Sequence, residues 1–328
     1  MELKTLLSAG PGRAFAGALP AAAEEMERAL LDQCAGAGAY RAALEELTRA
    51  GGKRLRPLLA WVCWDLPAAE EKLPIVPLMC MVETMHTASL IHDDFVDGAL
   101  LRRGTATVNA RFGGVGAMQS GDYLLARAME RLVTYRGTGI NEALSAVAQE
   151  MCLGELDQRE DLFRPENVTL PRYFDRIRRK TGLLMAESCR AGAVAGGADG
   201  ETAAALRAYG ERLGLAFQLR DDLLDFDPAG DGKAPLADLR SGVVSLPLLL
   251  LPEREKKLLK KREKSPAELT SLAAAVRQSG ALERTAALLR QSCAAAEAAL
   301  DALPACAQTH ALRSLAQSLS EVKPLCLN

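Results

Sequence analysis

Aromatic side chains make up only 4% of the 328 residues, so the chain lacks the rows of flat rings on which single-stranded nucleic acid stacks. Neither sign of charge dominates. Forty lysines and arginines against 42 aspartates and glutamates leave a net charge of −2, and any anion the protein binds must be held by a local cluster rather than drawn in by a global field. Nucleic acid is therefore not an expected partner. The eight cysteines, Cys34, Cys63, Cys80, Cys152, Cys189, Cys293, Cys306 and Cys326, contain no CxxC pair and no tight grouping with histidine that could hold zinc, and read as reduced, mostly buried thiols. No apolar run approaches the ~20 residues of a bilayer-crossing helix, so no transmembrane segment is expected. A stretch with the look of a short secretion signal, Arg13 to Ala23, is weakly apolar and interrupted by Pro20. The expectation is a cytoplasmic protein.

With 49% hydrophobic and 25% charged residues the chain can bury a large core. Alanine and leucine dominate, β-branched residues are sparse, and apolar positions recur at three and four, so nearly every segment reads as helix. Glycine and proline mark breaks at Gly36 to Gly38, Gly51-Gly52, Pro67, Gly113-Gly114, Gly137 to Gly139, Gly196-Gly197, Pro228 to Gly232 and Gly280, dividing the chain into about ten helices. Ser265-Pro266-Ala267-Glu268 has the form of a capped helix start. The alternating Glu, Lys and Arg from Arg254 to Lys264 suit a solvated helix or loop. No linker or composition shift appears, and residues 1–328 read as a single all-α domain.

Two acidic clusters stand out, Asp93-Asp94-Phe95-Val96-Asp97 and Asp221-Asp222-Leu223-Leu224-Asp225. On a helix, residues four apart share a face, so each cluster presents like charges that repel unless a cation joins them. Hard oxygens on one face suit Mg²⁺ whose octahedron is completed by phosphate and water. A single DDxxD is as readily a solvated acidic face, but both clusters follow apolar stretches, Met79 to Ile91 and Leu213 to Phe217, which points to a cleft. Fixed cations for a diphosphate lie in three places: Gly51-Gly52-Lys53-Arg54-Leu55-Arg56-Pro57, Arg102-Arg103-Gly104 and Arg178-Arg179-Lys180-Thr181-Gly182. His86 lies seven residues before Asp93, on the same helix face.

Taken in order, the Gly-Gly-Lys-Arg-Leu-Arg-Pro segment, His86 with Leu-Ile-His-Asp-Asp-Phe-Val-Asp, Arg102-Arg103-Gly104, Gly121-Asp122, Lys180-Thr181 and Phe217-Gln218 with Asp-Asp-Leu-Leu-Asp resemble the trans-isoprenyl diphosphate synthases, from about Gly51 to Leu250. The resemblance implies a helical bundle around a deep central cavity, with the aspartate motifs facing each other across its mouth. It implies a magnesium site of Asp93, Asp94, Asp97, Asp221, Asp222 and Asp225, in which Asp93, Asp97 and Asp221 bind directly and the others support. Lys180 and Gln218 join these aspartates in the catalytic set. Arg102, Lys180, Thr181, Gln218 and Lys233 would hold the allylic diphosphate, and Lys53, Arg56, His86 and Arg103 isopentenyl diphosphate. About three Mg²⁺ per site would stabilise the departing diphosphate while the double bond of isopentenyl diphosphate attacks the allylic cation. The family is usually dimeric, so a homodimer is expected.

Two departures from the family pattern are visible. Val243 stands in the stretch Asp238 to Val243 where a lysine is common, and Gly98-Ala99-Leu100 is uncharged. The positions four and five before the first aspartate, Ser89 and Ala88, are small where short-chain relatives often carry an aromatic plug. Val82, Met85 and Met81 lie deeper, so a product longer than farnesyl is expected. Alternatives are a farnesyl or geranylgeranyl synthase, the catalytic subunit of a hetero-oligomeric synthase, and a terpene cyclase, which the second DDxxD and the few aromatics oppose.

Overall fold

A computed structural model describes residues 18–227 and 236–321. The described residues fall into two compact units: residues 18–148, 187–207 and 302–311 form the first, and 149–186, 208–227, 236–301 and 312–321 the second.

In the first unit, α1 (Ala18–Asp32), α2 (Arg41–Arg49), α3 (Leu55–Asp65), α4 (Val76–Val96) and α5 (Val108–Glu130) follow one another. α4 is apolar nearly all round from Leu78 to Met85 and is buried there, as a helix without a polar face must be. It packs against α1, α3 and α5. Further along, Ala88 and Ile91 join Leu44, Leu47, Val108, Ala117 and Leu124 in a core cluster.

The end of α4 is set by the sequence Asp93-Asp94-Phe95-Val96-Asp97-Gly98-Ala99. Gly98 takes the left-handed conformation at φ 64°. Its N–H donates to Phe95 O, and that of Ala99 to Asp94 O at 2.9 Å, the paired bonds of a Schellman ending. The Thr107 side chain caps α5, accepting from Ala110 N and donating to Ala99 O, which ties the two helices together.

Between them lies a feature that helical periodicity misses. Leu101–Arg102 pairs with Thr105–Ala106 in an antiparallel hairpin, turned by Arg103 and Gly104 at φ 51° and 80°. Two successive positive φ values form the two-residue turn whose twist suits a hairpin. The break expected at Gly113-Gly114 is a kink instead: α5 continues through Gly113, where φ is 71° and ψ 178°.

In the second unit, part of α6 (Ile140–Asp161) leads to α7 (Leu170–Ile177), a π-helical turn at Arg178–Gly182, and the start of α8 (Leu183–Ala195). Most of α9 (Gly200–Leu224) follows, then the short α10 (Ala237–Ser241) and α11 (Leu246–Leu249). The helix start at Ser265 forms as expected, a full capping box with Glu268. The expected break at Pro228 to Gly232 lies outside the described residues.

Candidate active site

In the first unit the aspartates occupy the last turn and C-cap of α4, whose last turn holds no basic residue. This is the negative end of the helix dipole, where a surface carboxylate is disfavoured by about 0.3–1 kcal/mol; Asp93 is half-buried, Asp94 buried and Asp97 exposed. Asp94, only 2% exposed, is relieved by a neighbour: Arg102 Nε reaches both of its oxygens at 2.8 and 2.9 Å, and Nη2 approaches Oδ1 at 2.7 Å. Arg102 thus arrives at the site through the hairpin, and Asp94 holds it.

The hairpin brings Arg103 to the Gly51-Gly52 loop. A methyl group added at Gly52 would meet Arg103 Nη2 at 2.6 Å, so the guanidinium packs directly against the Gly52 backbone. Lys53 in the same loop is exposed, whereas Arg56, in the first turn of α3, is buried. Burial and the surrounding positive charges of Arg56, Arg103, Arg102 and Arg54 hold His86 well below the usual imidazole pKa. His86 is therefore neutral near pH 7, a hydrogen-bonding group among fixed cations. Burial pushes Arg103 down as well, with Glu83 opposing and Arg54 and Arg102 adding to the shift.

Arg54 and Glu83, to which the sequence alone assigns no role, form a buried pair, Nη1 to Oε1 at 2.6 Å. A carboxylate in the apolar middle of α4, three residues before His86, was the available signal.

In the second unit Lys180, on the π-turn, donates to Glu155 and Gln158 of α6 at 2.8 and 2.9 Å. Its neighbours are paired too, Arg178 with Asp175 and Arg179 with Asp175, Glu150 and Asp157. A polar chain runs from Thr181 Oγ1 to Gln218 Oε1 at 3.2 Å and from Gln218 Nε2 to Asp222 Oδ1 at 3.2 Å. Asp222, 3% exposed, also accepts from the Tyr173 hydroxyl at 2.7 Å and from Leu246 N at 2.8 Å. Burial pushes its carboxyl pKa up even so. Asp225 takes the backbone N–H groups of Ala237 and Asp238 on its two oxygens, capping α10. Asp221 lies half-buried in the last turn of α9, which also lacks a basic residue. Lys233 lies outside the described residues. Val243 is half-buried, next to Val244, whose carbonyl accepts from Arg176 at 2.7 Å.

Among the described residues no three His, Cys, Asp or Glu side chains gather into a metal cage. Magnesium does not need one. It commonly takes one or two carboxylates together with phosphate oxygens and retained waters, so the hard carboxylates at each of these helix ends fit an ion that arrives with a diphosphate. Of the positions on α4 expected to set chain length, Val82, Met81, Met85 and Ala88 are buried, while Ser89 is half-buried and donates its hydroxyl to His86 O.

A family model for polyprenyl synthetases matches residues 38–278, and the chain belongs to that family, whose members transfer prenyl groups. It is 38% identical over 309 residues to heptaprenyl diphosphate synthase component 2 of Geobacillus stearothermophilus, covering 91% of this chain and 93% of the relative. Its fold matches the polyprenyl synthase of Caulobacter crescentus CB15 complexed with calcium and isoprenyl diphosphate, with a TM-score of 0.85 and 35% identity over 92% of this chain and 95% of that one. It also matches a decaprenyl diphosphate synthase from Rhodobacter capsulatus, with a TM-score of 0.86 and 30% identity over 94% and 98% of the two chains. The expected helical bundle of the isoprenoid synthase type is the observed fold class, and no described helix is long and apolar enough to cross a membrane.

Proposed function

We propose that this prenyltransferase condenses isopentenyl diphosphate with an allylic diphosphate in a magnesium-dependent reaction and releases a diphosphate longer than farnesyl. The observation that carries the reading is the placement of both acidic motifs at the negative ends of helices, a costly position that a diphosphate-bound cation would relieve. Asp93, Asp97 and Asp221 are the proposed direct ligands. Asp94, Asp222 and Asp225 hold Arg102, Gln218 and the α10 backbone in place. When bound, about three Mg²⁺ would neutralise the diphosphate oxygens and favour cleavage of the allylic C–O bond.

The chain's own groups do the rest. Arg102, Lys180, Thr181 and Gln218 hold the allylic diphosphate, with Lys233 as a further member of that set. Lys180 exchanges Glu155 and Gln158 for phosphate oxygens as it does so. Lys53, Arg56, Arg103 and neutral His86 hold isopentenyl diphosphate and aim its double bond at the allylic carbon. The new C–C bond takes its electrons from that double bond, and the proton lost from the adjacent carbon goes to the released diphosphate. A base of the protein's own is then unnecessary, in keeping with three histidines in the chain.

The small residues Ser89 and Ala88, with Met85 and Val82 below, support a long product, as do the heptaprenyl and decaprenyl names of the relatives. The word "component" in the heptaprenyl relative's name favours a second reading for assembly, a catalytic subunit that works with a different partner chain, beside the homodimer. A cytoplasmic location is proposed on the thiols, since the seven cysteines among the described residues are unpaired. The test is incubation of the purified protein with Mg²⁺, isopentenyl diphosphate and dimethylallyl, geranyl or farnesyl diphosphate, with products resolved by mass. A ladder ending beyond fifteen carbons that a chelator abolishes is the expected result. No product from folded protein with any primer would sink the homomeric reading.

A further inference from the structure

Arg54 adopts the left-handed conformation, φ 46° and ψ 37°, at the N-cap of α3. A side chain other than glycine pays about 1 kcal/mol there, and glycine or asparagine would cap the helix more cheaply. Such strain persists where surrounding contacts over-determine it, and it gathers at functional sites. The contacts are present. Arg54 is 8% exposed, and its guanidinium donates to Glu27 through Nε and Nη2 at 2.8 and 3.1 Å, to Thr48 O at 2.7 Å, and to Glu83 Oε1 at 2.6 Å. Glu83 is itself 3% exposed.

Lys53 precedes Arg54 by one residue and Arg56 follows it by two, so the backbone that Arg54 holds is the backbone that presents both. Arg103 lies on Gly52 of the same loop. His86 stands three residues after Glu83 on α4, and its surrounding charges include Arg54, Arg56 and Arg103. Glu83 acts on Arg103 as well, as the largest negative influence on it. One buried carboxylate thus fixes the strained loop, acts on the cations around His86, and lies outside both acidic motifs.

We infer that Glu83, acting through Arg54, is a positioning residue for the isopentenyl diphosphate subsite, setting the loop that carries Lys53 and Arg56 against His86 and Arg103. The inference rests on the proposed assignment of that subsite. A bidentate or forked contact misplaced by about 1 Å can lose up to a hundredfold in effectiveness, so loss of this anchor should weaken one substrate selectively.

The experiment measures Kd for isopentenyl diphosphate by calorimetry and KM for each substrate in wild type, Glu83→Gln and Glu27→Gln. Glu83→Gln keeps the shape and removes the charge. Glu27 is Arg54's more exposed partner, so Glu27→Gln loosens the same anchor without opening the core. Glu83→Gln is expected to raise both Kd and KM for isopentenyl diphosphate about tenfold, an effect of the size of one charged hydrogen bond, with KM for the allylic primer unchanged. Glu27→Gln should raise the same two constants by about threefold. A general packing role would instead lower kcat and raise both KM values together with a fall in Tm, and that pattern overturns the inference. Unchanged constants in both variants overturn it too. If Glu83→Gln fails to fold, Glu27→Gln decides alone: selective weakening supports the positioning role and its absence ends it. Wild-type protein that binds isopentenyl diphosphate without condensing it would refute the proposed reaction, while the calorimetric comparison still judges Glu83. Wild type that does not bind it refutes both.

Discussion

At the scale of single residues, function and stability pull against each other where carboxylates sit at helix C-termini. Asp93→Asn and Asp221→Asn should each cut turnover by about a hundredfold or more, the effect of losing a metal-orienting group, with the helical fold left intact by circular dichroism. Retained turnover in either variant would remove that residue from the metal site. His86 gives a prediction with a sign. Its pKa lies well below 6.5 when folded, so below about pH 6.5 the unfolded chain takes up a proton that the folded chain refuses, and stability falls with pH. His86→Gln should lose less Tm between pH 7.5 and 5.5 than wild type does, read by scanning calorimetry. Parallel curves would show that the imidazole is not held neutral.

At the scale of elements, α4 combines a sealed apolar start with a half-exposed acidic end. Ala88 belongs to the packed cluster with Leu44, Leu47 and Val108, so a phenylalanine there overpacks the core at a cost of about 1–3 kcal/mol. Ser89, half-buried, is the better position for a plug. Ser89→Phe should shorten the product by at least one isoprene unit while leaving the fold intact, and an unchanged product distribution by mass would sink the account of chain length. On α7, Tyr173 donates to buried Asp222. Tyr173→Phe leaves that oxygen with one fewer donor and should cost about 1–3 kcal/mol in a urea titration. No loss would mean that Leu246 N and Gln218 alone satisfy the carboxylate.

At the scale of the whole molecule, the chain alternates between the two compact units rather than completing one before starting the other. Neither unit is a continuous segment that could fold first. We propose on this ground that residues 1–328 behave as one domain, as expected from the lack of a linker. Calorimetry should then give a single transition, and two resolved transitions would overturn it.

The acidic motifs, the basic clusters and His86 were legible in the sequence because each depends on spacing along one helix or loop, and the helix breaks at Gly137 to Gly139, Gly196-Gly197 and Gly280 because glycine acts locally. The family followed from those motifs in order. What local spacing could not supply was which charge answers which. The hairpin that brings Arg102 to Asp94 and Arg103 to Gly52 interrupts the helical pattern for only a few residues, and the partners Arg54 with Glu83, Lys180 with Glu155, and Asp222 with Tyr173 are separated by many residues. In sequence Asp93 and Asp94 are equivalent, and so are Lys53 and Arg54. Burial makes them different, because a charge removed from water must find a specific partner while an exposed one need not, and only the tertiary structure decides which side chains are removed.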